Sequence, residues 1–309
     1  MLTLDSVTPW QPTGFSDYRR RYPRGPALEP LAQADVTVEF VALWDRLPSF
    51  ARSIPDVCFV LVRGLFGSWI PRHFAHPLQA LERAGLRAII AKTRAVGTVE
   101  DNARAIERDV LHRLGSNDRV VFLCHSKGGL DALVALSTSS DLRSRVAAIV
   151  LCQVPRGGCA VLESVLLGEY RDSASRGDQV KEALARLVLQ ACAGQEGCLD
   201  VTGPQIGALV CGIDAARLEV PIVSVASWSS HPTSWLESQH ARLDSVRSGC
   251  AHDGLFFSEH LIWPVGEQIL LPRLDHSQPG VGGEGFDHGR FWLALAHLAL
   301  CRTELRGSF

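Results

Sequence analysis

A serine lies where an apolar segment runs into a pair of glycines. Residues 120–124 (VVFLC) form a continuous apolar run of mostly β-forming types, and His125–Ser126–Lys127 joins it to Gly128–Gly129. An apolar stripe at helical spacing follows, at Leu130, Leu133, Val134 and Leu136. The pattern predicts a strand that turns sharply into a helix with Ser126 at the turn, where its hydroxyl would lie beside helix N–H groups and suit nucleophilic attack. A serine that only caps the helix is the alternative.

A serine hydroxyl reacts at neutral pH only when a base lies within hydrogen-bond reach and an acid orients that base. His276 follows the last apolar strand-like segment, residues 268–271, and is the candidate base. Asp253, in the turn His252–Asp253–Gly254, is the candidate acid. The resulting chain order of Ser, Asp and His is the order typical of a nucleophile on a strand-to-helix turn.

Other residues compete for both roles. Several histidines are rival bases, although none follows a strand so directly: His231, His240, His252, His260 and His288. Asp275 is a poorer acid because sequence neighbours of a base seldom face it productively, and Asp214 is a weak alternative. His276 and Asp253 also have purely structural interpretations, as a surface-loop histidine and a turn-forming aspartate.

A tetrahedral intermediate needs two backbone N–H donors for its oxyanion. We expect one to be the N–H of Lys127, directly after the nucleophile. The other is expected in the loop Arg63–Gly64–Leu65–Phe66–Gly67, which follows an apolar strand at residues 57–62. Leu65 is the first candidate there and Phe66 the second. Arg63 and Phe66 are also predicted to contact the substrate.

The segments that must position these residues alternate between strand and helix. Strands are predicted at residues 57–62, 87–91, 120–124, 146–152, 220–226 and 268–271. Helices are predicted near residues 73–84, at 98–114 and near 289–301, the second beginning with a capping box at Thr98 and Asp101. Continuous apolar strands in such an alternation predict an α/β fold with a parallel sheet covered on both faces.

Two parts of the chain depart from this alternation. Between residues 159 and 219 two amphipathic helices predict a helical cap, and the stripe of the helix at 178–192 is expected to face the sheet and form an apolar cleft. An ordinary helical packing layer is the alternative. Residues 1–50, rich in proline and arginine, are expected to form an arm, with a first strand at 36–40 and a short helix at 42–51. The α/β core would then comprise residues 51–158 and 220–309.

Composition excludes several classes of protein. The chain has 309 residues, 46% of them hydrophobic, and a net charge of −2, so no overall field attracts nucleic acid; the basic run Arg19–Arg21 lacks interleaved stacking aromatics. No signal peptide and no stretch able to span a bilayer is apparent. Nine scattered cysteines predict reduced thiols in the cytoplasm, and a Cys192–Cys198 pair is disfavoured. No CxxC motif supports a structural zinc, and no metal or cofactor is expected.

Four motifs in chain order resemble those of the serine-hydrolase branch of the α/β-hydrolase superfamily, and within it bacterial lipases and esterases. Arg63–Gly64–Leu65–Phe66–Gly67 resembles the loop His-Gly-x-x-Gly, and Cys124–His125–Ser126–Lys127–Gly128 resembles the elbow Gly-His-Ser-x-Gly. His252–Asp253–Gly254–Leu255 resembles the acid motif, and Leu274–Asp275–His276 the late histidine motif. Arg63 and Cys124 depart from the family pattern. The charge of Arg63 would favour a carboxylate- or phosphate-bearing substrate or pair with a nearby acid.

The resemblance implies an α/β-hydrolase fold and cleavage of a small-molecule carboxylic ester through an acyl-enzyme on Ser126, with His276 as base and Asp253 as acid. The same machinery acting on thioesters, as a thioesterase or acyltransferase, is one alternative. A binding protein that keeps the fold without catalysis is another. None of the three involves nucleic acid or stable membrane insertion.

Overall fold

A six-stranded parallel sheet forms the centre of the protein, as expected for an α/β fold. The computed structural model describes residues 34–47, 56–169, 176–191, 194–229, 236–283 and 285–303. The strands are β1 (Val57–Val62), β2 (Arg87–Ile90), β3 (Arg119–His125), β4 (Val146–Cys152), β5 (Ile222–Trp228) and β6 (Glu267–Pro272). Their order across the sheet is β2-β1-β3-β4-β5-β6. All carboxyl ends of the strands therefore lie along one edge.

Helices cover both faces of the sheet. Within the described residues they are α1 (Thr37–Asp45), α2 (Ala75–Arg83), α3 (Val99–Arg113), α4 (Lys127–Thr138), α5 (Ser140–Arg145), α6 (Ala160–Leu167), α7 (Arg176–Ala191), α8 (Gln195–Leu199), α9 (Gly203–Gly212), α10 (Glu237–Val246), α11 (Gln278–Val281) and α12 (His288–Cys301). Short 3₁₀ turns occupy Ala215–Leu218 and Ser258–Leu261. The side chain of Thr98 caps α3 by accepting a hydrogen bond from the Asp101 N–H, as the sequence predicts.

Strand β1 is apolar along its whole length because both of its faces are buried. In β1, Phe59 and Leu61 pack with α1, α2 and α12, whereas Val60 and Val62 pack with α3 and α4 on the opposite face. Each residue of β1 is buried. Because side chains alternate between two covered faces, no position of such a strand faces solvent.

The predicted first strand at residues 36–40 is wrong, because this segment belongs to helix α1. Its buried residues recur at helical spacing: Thr37, Phe40, Val41 and Trp44. The segment still meets the sheet at its edge. Gln268 of β6 accepts a hydrogen bond from the Val36 N–H, and the Leu270 N–H donates to the Thr37 hydroxyl. These two hydrogen bonds satisfy one carbonyl and one N–H group of the edge strand β6, although residues 37–45 are helical.

Between β4 and β5 the described residues (153–169, 176–191 and 194–221) contain four α-helices, α6 to α9, where two helices were predicted. The expectation that the apolar stripe of α7 faces the sheet is wrong: Leu184, Leu187 and Val188 are 63%, 62% and 50% exposed. The helix contacts the body along a different edge. Leu189 is buried in a cluster beside α6, and the Arg186 guanidinium donates to the Val165 carbonyl.

Several predictions fall outside the described residues: most of the N-terminal arm (1–33 and 48–50), the run Arg19–Arg21, Cys192 and His231. Among the helices of the described ranges, none combines the length and the apolar character that a membrane crossing requires.

Candidate active site

The turn between β3 and α4 presents Ser126 in a strained conformation. Ser126 has φ 54° and ψ −139°, a region that residues with a Cβ rarely adopt. Its N–H donates to the Cys152 carbonyl at the end of β4, which ties the turn to the sheet. Gly128 makes the turn possible, because a Cβ there would lie 2.5 Å from the Arg63 carbonyl oxygen and 2.7 Å from that of Val62. The elbow therefore packs directly on the backbone at the end of β1.

Cys124 occupies the position where the pattern Gly-x-Ser-x-Gly has its first glycine, and its side chain packs in the core. It lies fully buried on the face of β3 that packs against α3 and α4. Burial raises the pKa of the thiol well above its ordinary value, so the sulfur stays protonated. The substitution therefore adds packing behind the elbow without adding a second nucleophile.

Three side chains from distant parts of the chain meet at this turn. The Ser126 Oγ lies 2.8 Å from His276 Nε2, and His276 Nδ1 lies 2.7 Å from Asp253 Oδ2. A carboxylate only accepts hydrogen bonds, so Nδ1 of His276 carries the proton and Nε2 is left to accept from the serine hydroxyl. The structure thus brings together the three residues that the sequence suggested as nucleophile, base and acid, each within hydrogen-bond distance of the next.

Asp253 is held in a closed turn between β5 and β6. It is fully buried, and its Oδ1 accepts hydrogen bonds from the Leu255 and Phe256 N–H groups at 3.0 and 2.9 Å. Its own carbonyl accepts from the His276 N–H at 2.8 Å. These contacts leave Oδ2 for the imidazole and fix both backbone and side chain of the acid relative to His276.

Sequence reasoning missed a second pair that supports the His276 loop. Nε2 of His125 lies 2.9 Å from the His276 carbonyl and 3.1 Å from Gln153 Oε1, and both are acceptors, so Nε2 carries the proton. Gln153 in turn donates to the Asp275 carbonyl at 2.9 Å and to Ser227 Oγ. Desolvation holds the pKa of His125 well below its usual range, so the ring stays neutral. In the sequence, the signal that could have indicated this pair is a polar glutamine directly after the apolar run 146–152.

The rival residues have other partners. Asp275 accepts from the Ser277 and Gln278 N–H groups and so caps α11. His240 packs on His252, whose Nε2 pairs with Asp244 at 3.1 Å. The remaining rivals are engaged elsewhere: His260 at the Gly158 carbonyl, His288 with His76, and Asp214 with Arg217. Among the described residues, only His276 hydrogen-bonds to the Ser126 hydroxyl.

Two backbone N–H groups beside Ser126 are available to an oxyanion. Neither the Lys127 nor the Leu65 N–H donates a hydrogen bond to any group in the described part of the chain. The Phe66 N–H, the second candidate, already donates to the Ala95 carbonyl at 2.7 Å. Gly64 brings this loop against the nucleophile, because a Cβ on it would lie 2.7 Å from the Ser126 Cβ.

A cavity of about 290 Å³ opens above Ser126. Its wall is mainly apolar. The apolar side chains come from the loop after β1, from α6 and from the turn that follows Asp253: Leu65, Phe66, Ile70, Val161, Leu162, Leu255 and Phe256. Arg63 is not among the lining residues, so its predicted contact with substrate has no support from the cavity. Its Nε is buried and has no hydrogen-bond partner among the residues that the structure describes, and desolvation lowers the pKa of the guanidinium.

His73 is a lining residue that the sequence did not suggest. It is 3% exposed, and neither ring nitrogen has a hydrogen-bond partner among the described residues. Desolvation, with a smaller contribution from the Arg63 charge, lowers the pKa of His73 to about 4. The ring fits between Gly67 and Gly280, where a Cβ would lie 2.6 and 2.5 Å from its nitrogens. His73 is therefore a neutral part of the cavity wall.

A parallel sheet with a serine on the turn after β3, an acid after β5 and a histidine after β6 is the arrangement of the α/β-hydrolase fold. No family model and no curated protein matches the sequence. Solved structures do match it. A carboxyl esterase from a metagenome is similar with a TM-score of 0.62 and 22% identity, over 81% of this chain and 79% of its own.

Two further structures are similar at lower identity. The mature form of a Bacillus licheniformis lipase gives a TM-score of 0.58 and 14% identity, over 83% of this chain and 96% of its own. A phospholipase of Legionella pneumophila gives 0.52 and 13%, over 78% of this chain and 59% of its own. At these identities the likeness concerns the fold: the chain has the α/β-hydrolase fold.

Proposed function

We propose that this protein is a serine hydrolase that cleaves carboxylic esters through an acyl-enzyme on Ser126. The observation that carries the proposal is the continuous hydrogen-bonded chain from the Ser126 hydroxyl through the His276 ring to the Asp253 carboxylate. The fold shared with solved esterases and lipases is consistent with it.

In the first half of the reaction, His276 Nε2 takes the hydroxyl proton as Ser126 Oγ bonds to the ester carbonyl carbon. The tetrahedral oxyanion is stabilised by the Leu65 and Lys127 N–H groups, and Asp253 stabilises the imidazolium. The carbon–oxygen bond to the leaving alcohol then breaks, and His276 returns the proton to that oxygen. In the second half, water adds to the acyl carbon by the same steps and releases the acid and free Ser126.

The cavity wall supports an uncharged, apolar acyl group as the bound part of the substrate. The basic residues of its lining are His73, His125, His276 and Lys127. The pKa values of His73 and His125 are lowered, so these two rings carry no charge at neutral pH. Arg63 lies outside the lining, and the Lys127 side chain is 2% exposed with its ammonium bound to Asp131 and the Gly97 carbonyl, so neither cation offers a contact to a carboxylate or phosphate there. We propose that the segment 159–219 acts as the cap that supplies one wall, through Val161, Leu162 and Val201.

Turnover of p-nitrophenyl esters and labelling by a fluorophosphonate test the proposal. The wild-type protein is expected to hydrolyse short- and medium-chain esters and to be labelled on Ser126. Ser126→Ala is expected to lose both, with a fall in kcat of at least about 10⁴-fold, while retaining the circular dichroism spectrum and Tm of the wild type. Ser137→Ala, at the far end of α4, is the matched control and should keep both activities.

Two outcomes would redirect the proposal. Unchanged ester turnover by Ser126→Ala would exclude the mechanism, and absence of labelling in the folded wild type would favour a binding protein. Acyl-CoA thioesters of the same chain lengths form the second arm of the assay. A kcat/KM at least tenfold higher for the thioester series would assign the acyl-enzyme chemistry to thioesters.

A further inference from the structure

The side chain of Lys127 turns into the interior of the protein immediately after the nucleophile. It is 2% exposed, and its Nζ lies 2.7 Å from Asp131 Oδ1, one turn further along α4. The ammonium also donates to the Gly97 carbonyl at 2.9 Å. Asp131 is equally buried, and its Oδ2 accepts from Asn102 Nδ2 at 2.9 Å. Within this pair the two charges compensate each other, and the pair holds the Lys127 side chain at a fixed position beside the loop that contains Gly97.

Gly97 belongs to a loop, residues 94–98, that joins β2 to α3 and is fixed at its start by Asn102. The Arg94 N–H donates to Asn102 Oδ1 at 2.9 Å, and Asn102 Nδ2 also contacts the Arg94 carbonyl at 3.2 Å. The loop's next carbonyl, that of Ala95, accepts from the Phe66 N–H at 2.7 Å. One short loop therefore contacts both the Lys127 ammonium and the segment that follows β1.

These two contacts fall on the two sides of the oxyanion site. Lys127 supplies one candidate donor through its own backbone N–H, and Phe66 is the covalent neighbour of Leu65, which supplies the other. The loop 94–98 thus connects two donors that lie on different elements and are otherwise joined through the packing of Gly64 and Gly128. A displacement of about 1 Å in such a site can reduce the rate by about 10²-fold.

We propose that the Lys127 side chain is a positioning residue for the oxyanion site: through the Gly97 carbonyl and the loop 94–98, it fixes the spacing between the Leu65 and Lys127 N–H groups. The inference rests on the proposed serine-hydrolase function. It gives a role to the buried Lys127–Asp131 pair, which takes no part in the proton transfer between Ser126 and His276.

Lys127→Met tests this role because it removes the ammonium and keeps the backbone N–H. We expect kcat for a p-nitrophenyl ester to fall about 10²-fold while KM changes less than about threefold, because the donors act mainly on the transition state. The affinity of an alkyl boronic acid, which forms a tetrahedral adduct with the serine, should fall in parallel. Lys92→Met, at an 82% exposed lysine that also faces an aspartate, is the matched control and should change none of these values.

The single variant also leaves Asp131 buried without its cation, and burial already raises the pKa of this carboxyl to about 6 with Lys127 present. A lower Tm is therefore expected, and the double variant Lys127→Met/Asp131→Asn separates stability from catalysis, because an amide oxygen at position 131 can still accept from Asn102 Nδ2. It removes both charges and should recover the wild-type Tm within a few degrees, while kcat stays about 10²-fold low. If Lys127→Met does not fold, the double variant alone decides.

Recovery of both Tm and kcat in the double variant would assign the pair to stability alone and overturn the inference. Wild-type kcat in a folded Lys127→Met protein, or a change confined to KM, would do the same. Failure of the underlying function is a separate result, because it is read from wild-type and Ser126→Ala protein with no substitution at Lys127.

Discussion

The most direct test of the elbow packing is Gly128→Ala. The added Cβ would lie 2.5 Å from the Arg63 carbonyl oxygen and 2.7 Å from the Val62 carbonyl oxygen, at the end of β1. Both are backbone atoms of a buried strand end, so no side-chain rotation can relieve the contact. Carbon–oxygen contacts are normally about 3.3 Å or longer, and the elbow and the strand end must therefore separate by roughly 0.8 Å.

That separation falls on the two elements that carry the candidate oxyanion donors, Leu65 and Lys127. A shift of this size in a catalytic site corresponds to a loss in kcat/KM of about 10²-fold. Intrinsic helix propensity alone would make alanine more favourable than glycine by about 1 kcal/mol at this helical position. A lower free energy of unfolding in Gly128→Ala would therefore report the steric contact itself.

Gly129→Ala provides a comparison in which the obstacle is a side chain. Its Cβ would lie 2.2 and 2.7 Å from the two γ-carbons of Val154. Adding Val154→Ala removes both atoms, so the double variant should recover the activity of Val154→Ala alone. Truncation of a side chain offers no comparable rescue for Gly128→Ala.

The assay is kcat/KM for a p-nitrophenyl ester together with urea unfolding of each variant. Gly207→Ala in α9 is the control, because a Cβ there meets nothing within 4 Å. It should leave kcat/KM unchanged and raise the free energy of unfolding by up to about 1 kcal/mol. Wild-type activity and stability in Gly128→Ala would refute the argument that the elbow packs directly on the backbone of β1.

Two further predictions concern single side chains of the site. Asp253→Asn should lower kcat by about 10⁴-fold with a small change in KM. The reason is that an amide cannot hold the His276 tautomer in which Nε2 is free to accept the serine proton. A kcat within tenfold of the wild-type value would contradict the role assigned to Asp253. His73→Leu should make stability less sensitive to acid. The pKa of His73 in the folded protein is about 4, against an ordinary histidine value of 6.5, because the ring is desolvated. Acidification from pH 6.5 to 4 therefore protonates the unfolded chain first and removes up to about 3 kcal/mol of stability. Urea unfolding at pH 7 and pH 4.5 checks this, and an unchanged difference between the two pH values in His73→Leu would refute it.

Much of the architecture could be predicted from local patterns. Continuous apolar runs located the six strands, and the glycine pair after residues 120–124 indicated the elbow. Parallel strands direct their carboxyl ends to one edge, so residues that follow strands are candidates to meet, and Ser126 and His276 do meet. The catalytic roles of Ser126, His276 and Asp253 and the division of the chain into arm, core and cap stay predictions.

Other features depended on contacts that no local pattern encodes. The segment at residues 36–40 has β-forming residues, yet it is helical because Phe40, Val41 and Trp44 pack on the sheet and on α12. The stripe of α7 has the spacing of a buried face, yet Leu184 and Leu187 are exposed. A periodic pattern fixes which residues share a face, but the partner of that face is set by packing.

The sequence by itself determined the six strands of the sheet and their order along the chain, the elbow and a short set of candidates for nucleophile, base and acid, because backbone propensity and apolar periodicity are local properties. Only the tertiary structure decided which of several histidines hydrogen-bonds to Ser126 and that the Phe66 N–H donates to the Ala95 carbonyl. It also decided that Lys127, Asp131 and Asn102 form one buried hydrogen-bonded network. These outcomes depend on hydrogen bonds of about 3 Å between residues far apart in the chain, and such distances are set by the packing of whole elements.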